Sequence, residues 1–412
     1  MRVTMRHRLG YLRLRRFGDL FCALLALPFL ALAASIQIAD AQNSNADTVK
    51  IGLIMTYTGQ FTDAAAQMDN GIKLYMKQHG DTVAGKKIEI IRKDDGGAPD
   101  VAKRLAQDLI VNDNVDILAG FVITPEAMTV ADLSAQAKKF MVVMNAATSI
   151  VTTKSPYMVR TSLTIAQNCE ALGTWAYQNG VRKVFILVSD YAPGHDAESA
   201  FQRTFTAAGG TVVEAAHVPM ANPDFSAFVQ RAKDSGADGI FVFIPGGSQP
   251  AALAKALVER GMDPSKIKIM GQGELTDDGA LGAMGDAAIG IITAFHYDHA
   301  HDSALNRKFV ADYNAEFKRN PDLFSVGGYD GMQVIYDALK ATGGKTDADS
   351  LVAAAKGMKW ESPRGPAAID PETRDIINTV YIRRVEKVNG KVQNVEIAKF
   401  ENVKDPVKAR MK

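Results

Sequence analysis

From Val49 onward, short runs rich in β-branched and aromatic residues alternate with segments whose apolar positions recur at helical spacing, and few folds accommodate such a series. Val49–Met55 (VKIGLIM) reads as a buried strand, followed by a Tyr57-Thr58-Gly59 turn and a helix over Asp63–Gln78. Lys87–Arg92, Val115–Ala119 and Phe140–Met144 read as further strands, with helices over Pro99–Val111 and Pro125–Lys138. This order predicts a parallel sheet covered by helices on both faces.

The same grammar then restarts. Helices are predicted over Asn168–Asn179, His195–Ala208, Phe225–Ser235 and Ser248–Arg260. Strands are predicted over Lys183–Ser189, Thr211–His217, Gly239–Ile244, Ile267–Met270 and Ala288–Ala294. In the last part, Ser303–Lys318, Gly331–Ala341 and Asp349–Lys356 look helical, whereas Ala367–Ile369 and Thr379–Lys387 look extended. The fold class is α/β, with two successive doubly wound, Rossmann-like units. Such sheets bind ligands beyond the carboxyl ends of their strands. Here those ends carry small, polar or glycine-rich segments, among them Asp94-Asp95-Gly96-Gly97, Asn145–Ser149, Ser189-Asp190-Tyr191, Pro245-Gly246-Gly247 and Gly271–Glu274. Two such units facing each other would clasp a ligand between lobes that close by hinge motion.

The N-terminus points to export. Residues Arg2 to Arg16 include six arginines and no acid, the apolar run Leu20–Ile38 follows, and Ala39-Asp40-Ala41 is a small-x-small triplet. These are the three parts of a secretory signal, so residues 1–41 are expected to be cleaved near Ala41, releasing a periplasmic protein that begins at Gln42. Cys22 falls inside the signal, which leaves Cys169 as the sole thiol and excludes an intramolecular disulfide. The full chain has 47 basic and 46 acidic residues; without residues 1–41, which hold six arginines and two acids, the formal charge is −3. A mildly acidic chain without basic blocks argues against a nucleic-acid partner.

The ordered set VKIGLIMTYTG, IEIIRKDD, Asn145–Ser149 followed by Tyr157-Met158-Val159-Arg160-Thr161, VFILVSDYAPG, DGIFVFIPGG, GDAAIGIITAFHY and Tyr329-Asp330-Gly331-Met332 resembles the Leu/Ile/Val-binding family of periplasmic solute-binding proteins, the receptors of ABC importers. The resemblance spans Val49 to about Val403 and implies the type I periplasmic-binding-protein fold, with a ligand cleft between two lobes joined by three hinge crossings. It places the crossings near Ser162–Ile165, Phe295–Asp298 and Lys359–Ser362. Lobe 1 is then 47–163 plus 298–360, and lobe 2 is 164–297 plus 361–412. The implied partners are a small-molecule carboxylate and an inner-membrane permease, with a monomer as the expected state and no cofactor.

The resemblance also implies site residues. A carboxylate would be gripped by Thr124, Ala146 and Thr148, at strand ends where helix N-termini offer unpaired N–H groups and positive potential. Tyr191 would stack on the ligand, Pro245 would line the next loop beside Phe243 or Ile244, and Gln272 and Glu274 fall near the glutamate with which amino-acid binders hold an ammonium. Amino-acid binders also carry an aspartate shortly after the Arg-Thr pair, whereas Arg160 to Gln167 contains no acid. A buried ammonium needs anionic or carbonyl partners, so the expected ligand is an apolar, preferably aromatic acid of the benzoate or hydroxycinnamate kind. Tyr57, Phe61, Phe121, Phe295, His296 and Tyr297 are the other candidate walls, with His296 as a candidate donor. A branched-chain amino acid is the alternative ligand, and a sensor feeding a membrane receptor the alternative role.

Other signals lead elsewhere. FHYDHAH gathers three histidines, but it lacks a zinc pattern and no metal is expected. Asp94-Asp95-Gly96 reads as a strand end and turn, and Cys169 as a packed residue at a helix start. The absence of G-x-S-x-G, P-loop and HExxH motifs leaves an α/β hydrolase as the weakest reading, and no catalytic residue is expected.

Overall fold

The computed structural model describes residues 47–264 and 266–411; the expected signal lies outside these residues. The apolar runs become two sheets rich in parallel strands. The first has the order β2-β3-β1-β4-β5-β6. Its strands are β1 (Thr48–Met55), β2 (Thr82–Val83), β3 (Lys86–Asp94), β4 (Ile117–Gly120), β5 (Phe140–Val143) and β6 (Met158–Arg160). Strands β1, β4, β5 and β6 pair in parallel. Every residue of β4, β5 and β6 is buried, which is why these runs read as continuously apolar rather than alternating. Helices α1 (Thr62–His79), α2 (Pro99–Val111) and α3 (Thr124–Ala137) connect them.

The second sheet follows the order β12-β13-β14-β11-β10-β9-β7-β8, with β15 paired to β14. Its parallel part comprises β7 (Lys183–Ser189), β8 (Thr211–Val218), β9 (Gly239–Phe243), β10 (Lys268–Gln272) and β11 (Ile292–Phe295). Helices α4 (Ile165–Gln178), α5 (Ala192–Ala207), α6 (Phe225–Asp234), α7 (Gln249–Glu259) and α8 (Asp278–Met284) accompany it. An antiparallel extension follows: β12 (Lys359–Ser362), β13 (Gly365–Ile369), β14 (Ile376–Val388) and β15 (Lys391–Val403). Strand β15 has no counterpart in the predicted elements.

Between the two parts of the second sheet, the chain returns to the first through α9 (Ala304–Phe317), α10 (Leu323–Ala341) and α11 (Ala348–Ala355). Helix α10 lies on α1, and α11 beside β5 and β6. The α1–α10 approach depends on glycine: a Cβ at Gly71 would run into the Ser325 carbonyl, and one at Gly328 into the Met68 carbonyl. Neither backbone can yield without parting the helices. Gly328→Val is therefore expected to cost about 3 kcal/mol, the upper end of overpacking penalties, read as a lowered urea midpoint with an unchanged slope. A short helix, α12 (Pro406–Arg410), packs against α4 and the turn that begins at Ser149.

Candidate functional site

In the first sheet, the chain leaves β1 for β3 on one side and then returns to β4 on the other. In the second, β8 and β9 flank β7 in the same way. Each reversal opens a crevice beyond the carboxyl ends of the strands, and one cavity is built from the loops at both. The first sheet contributes Phe61 after β1, Val122, Ile123 and Thr124 after β4, and Asn145, Ala146 and Ala147 after β5. The second contributes Tyr191 and Pro193 after β7, Phe243 and Pro245 around the end of β9, and Glu274 after β10. Ile165 at the start of α4 and Phe324 at the start of α10 complete the wall.

The polar end of this cavity is held from behind. Thr124 starts α3, with Pro125 in the first turn, so its N–H faces outward as one of the unpaired donors of a helix start. Thr124 Oγ1 donates to Thr148 Oγ1 at 3.2 Å, and Asn145 Nδ2 donates to the Val122 carbonyl at 2.7 Å. Beneath them Arg160 is fully buried and donates through Nη1 to the carbonyls of Ala146 (3.0 Å) and Thr148 (2.8 Å). Its Nε and Nη2 reach Asp375 Oδ1 at 3.1 and 2.7 Å. Lys408 completes the ion cluster on Asp375 and Thr152, and Ser149 Oγ donates to Asp405 Oδ1 at 3.2 Å.

Six of the eleven residues expected from the sequence line the cavity: Phe61, Thr124, Ala146, Tyr191, Pro245 and Glu274. The role expected of Ala146 needs correction, because its N–H is already donated to the Phe121 carbonyl at 3.0 Å. Ala146 therefore offers a methyl surface, and the neighbouring Ala147 N–H has no hydrogen-bond partner among the described residues. Thr148 sits behind Thr124 rather than in the wall.

Phe121 points the other way. It takes a positive φ of 69° directly after Gly120 at φ 105°, and its ring packs in the apolar layer with Leu118, Ala127 and Met141. That twist turns Val122 to Thr124 toward the cavity and Phe121 away from it. Tyr57 packs against the α1 side of the core, and its N–H is taken by Asp94 Oδ1 at 2.9 Å. Gln272 is buried and accepts the Glu274 N–H at 2.9 Å, which positions Glu274 without lining the cavity. His296 is fully buried against Phe295, and burial, then Arg364 and Arg383, lower its pKa well below the usual range. The ring is neutral and outside the wall. Phe295 and Tyr297 are likewise core residues.

The segment without an acid has a structural use. Thr164 and Gln167 form a reciprocal cap on α4: the Thr164 N–H donates to Gln167 Oε1 at 2.7 Å, and the Gln167 N–H to Thr164 Oγ1 at 3.3 Å. What this segment presents to the cavity is Ile165. Sequence reasoning did not single out Ile165, Pro193, Asn145, Ala147 or Phe324 as contacts. The first four adjoin named strand ends or loops, while Phe324 comes from a helix far along the chain.

Two carboxyl sites are electrostatically marked. Burial pushes Glu274 up to about 7, against a single opposing hydrogen bond from the Gly246 N–H at 3.1 Å. Burial, then the Asp95 charge, pushes Glu126 up to about 8. Asp95 and Glu126 share the Thr56 hydroxyl, at 2.9 and 3.2 Å. Because the folded value of Glu126 lies above its ordinary 4.5, its stabilising contribution is complete below that value and is lost as pH rises through about 8. Glu126→Gln is expected to flatten the fall in melting temperature of the wild type between these limits, as checked by calorimetric scans across pH.

Residues 48–391 match the family model described as periplasmic binding protein. The chain belongs to that family. A Leu/Ile/Val-binding protein homolog 6 from Brucella melitensis is 46% identical over 388 residues, covering 93% of this chain and 98% of the relative. A solute-binding protein of an ABC transporter from Rhodopseudomonas palustris BisB5, solved with 3,4-dihydroxybenzoic acid, superposes with a TM-score of 0.85. It is 57% identical and covers 88% of this chain and 99% of its own. A second such protein from R. palustris, solved with 4-hydroxybenzoate, has the same TM-score and coverage of 88% and 100%, at 44% identity. As a member of this family, the periplasmic binding protein is a receptor and not an enzyme. Among the described residues, no helix is long and apolar enough to cross a membrane.

Proposed function

We infer that this periplasmic binding protein captures a small aromatic carboxylic acid and delivers it to the permease of an ABC importer. The observation that carries the reading is the make-up of the cavity. Four aromatic rings (Phe61, Tyr191, Phe243 and Phe324) surround it, Ile165 stands where an ammonium-binding acid is missing, and a helix start lies at one end. The carboxylate would lie against the N–H groups of Thr124 and Ala147, taking up the positive potential of α3. The ring would fill the space among the aromatic side chains. Related proteins solved with hydroxylated benzoic acids support this choice.

Capture would proceed by hinge closure between lobe 1 (47–163 plus 298–360) and lobe 2 (164–297 plus 361–412), in a monomer released by cleavage near Ala41. A second reading has a specific observation behind it: Glu274 supplies one carboxylate in the wall, so a branched-chain amino acid would find one counter-charge. Isothermal titration of the mature protein with benzoates, hydroxycinnamates and Leu, Ile and Val decides between them. We expect aromatic acids to bind and to raise the melting temperature by mass action; binding of the aliphatic amino acids alone would overturn the first reading.

A further inference from the structure

Resting on the aromatic-acid reading, the remaining question is what the far end of the ring meets. The carboxylate end is built from the first sheet, at Thr124 and Ala147. The opposite wall is built from the second, and its single carboxyl group is Glu274. Glu274 is held in place twice: its N–H donates to Gln272 Oε1 at 2.9 Å, and its Oε2 accepts the Gly246 N–H at 3.1 Å. Oε1 has no hydrogen-bond partner among the described residues. The second cavity that Glu274 borders shares Phe61 and Phe324 with the first and adds Asp63, Asp277 and Asp322.

We propose that Glu274 accepts a hydrogen bond from a hydroxyl group on the ring, at the end remote from the carboxylate, so that the site selects phenolic acids over unsubstituted ones. The chemistry of this end is one-sided. Every charged group that faces it is an acceptor when ionised, so a ring substituent that donates a proton is welcome and a second carboxylate is repelled. A bare ring would cover Glu274 Oε1 without giving it a hydrogen-bond partner, which costs more than an unmade neutral hydrogen bond. The preference that Gln272 and Glu274 impose is thus for a donor, and an α-ammonium beside the carboxylate is not required to supply it.

The test is a titration series on the wild type with benzoate, 4-hydroxybenzoate, its methyl ether and the para-dicarboxylate. A hydrogen bond to a charged group predicts that the phenol binds roughly tenfold or more tightly than benzoate, with the ether no better than benzoate and the dicarboxylate weakest. In Glu274→Leu, the phenol-to-benzoate ratio should fall to about one, and Glu274→Gln, which retains an acceptor oxygen, should fall between. Equal binding of phenol and benzoate by the wild type would overturn the proposal, as would a preference that survives both substitutions. Binding of none of these acids would instead sink the aromatic-acid reading, and the assignment of Glu274 with it.

Discussion

Arg160→Ala is expected to cost about 3 to 5 kcal/mol of folding stability, the range for breaking a buried ion pair by removing one partner. Arg160 has no exposed surface, and its guanidinium spans Asp375 and the carbonyls of Ala146 and Thr148. Truncation removes the guanidinium donor from both carbonyls and leaves Asp375 with Lys408 and the Thr152 hydroxyl as side-chain partners. The loss should therefore reach the ligand as well as the fold. Arg160 is one of the groups that pin the segment 145–149 against the cavity, so surviving folded protein should bind its acid about tenfold more weakly. Denaturant titration reads the first effect and calorimetry the second. Arg160→Lys should rescue little, since an ammonium cannot reproduce the planar fork. A variant that lost stability but bound normally would show that the arginine supports the fold and not the site.

Arg364→Met is expected to be comparably severe, about 3 to 5 kcal/mol by the same argument, with a different signature. Arg364 pairs with Asp330 at 2.6 Å and donates to the carbonyls of Thr161 and Ser162. Asp330 also accepts from Trp360 Nε1 at 3.1 Å and from Ser362 Oγ at 2.9 Å. One buried ion pair thus ties α10 to two of the three expected crossings. Removing the guanidinium should loosen the hinge before it unfolds the lobes. The emission of Trp360, which lies in this knot, should then shift in the free protein and respond less to ligand. An unchanged ligand response would place the hinge elsewhere.

The contrast between what the sequence disclosed and what it hid has a consistent physical basis. The strands buried on both faces were legible because their runs, such as those of β4 and β5, are continuously apolar. Strand β15 was not: KVQNVEIAKFENV is largely exposed or half-buried and reads as polar. The Asn389-Gly390 turn before it, with both φ values positive at 52° and 80°, is its one local hairpin signal. At the site, strand ends located the right loops, but one backbone twist at Gly120 decided that Phe121 leaves the cavity while Thr124 enters it. The free donor is the Ala147 N–H and not that of Ala146, which the Phe121 carbonyl takes. Neither outcome is encoded in residue type. The buried cluster of Arg160, Asp375, Asp405 and Lys408 joins positions far apart in the chain, so no local pattern could announce it.

That cluster also sets an order of events. Ser149 and its partner Asp405 are separated by 256 positions, so the loop beside the polar end of the cavity is synthesised long before the residues that brace it. Until Asp375, Asp405 and Lys408 have followed, Arg160 is an unpaired cation and the loop has nothing to settle against. Capture competence is thus expected only once the C-terminal segment has docked.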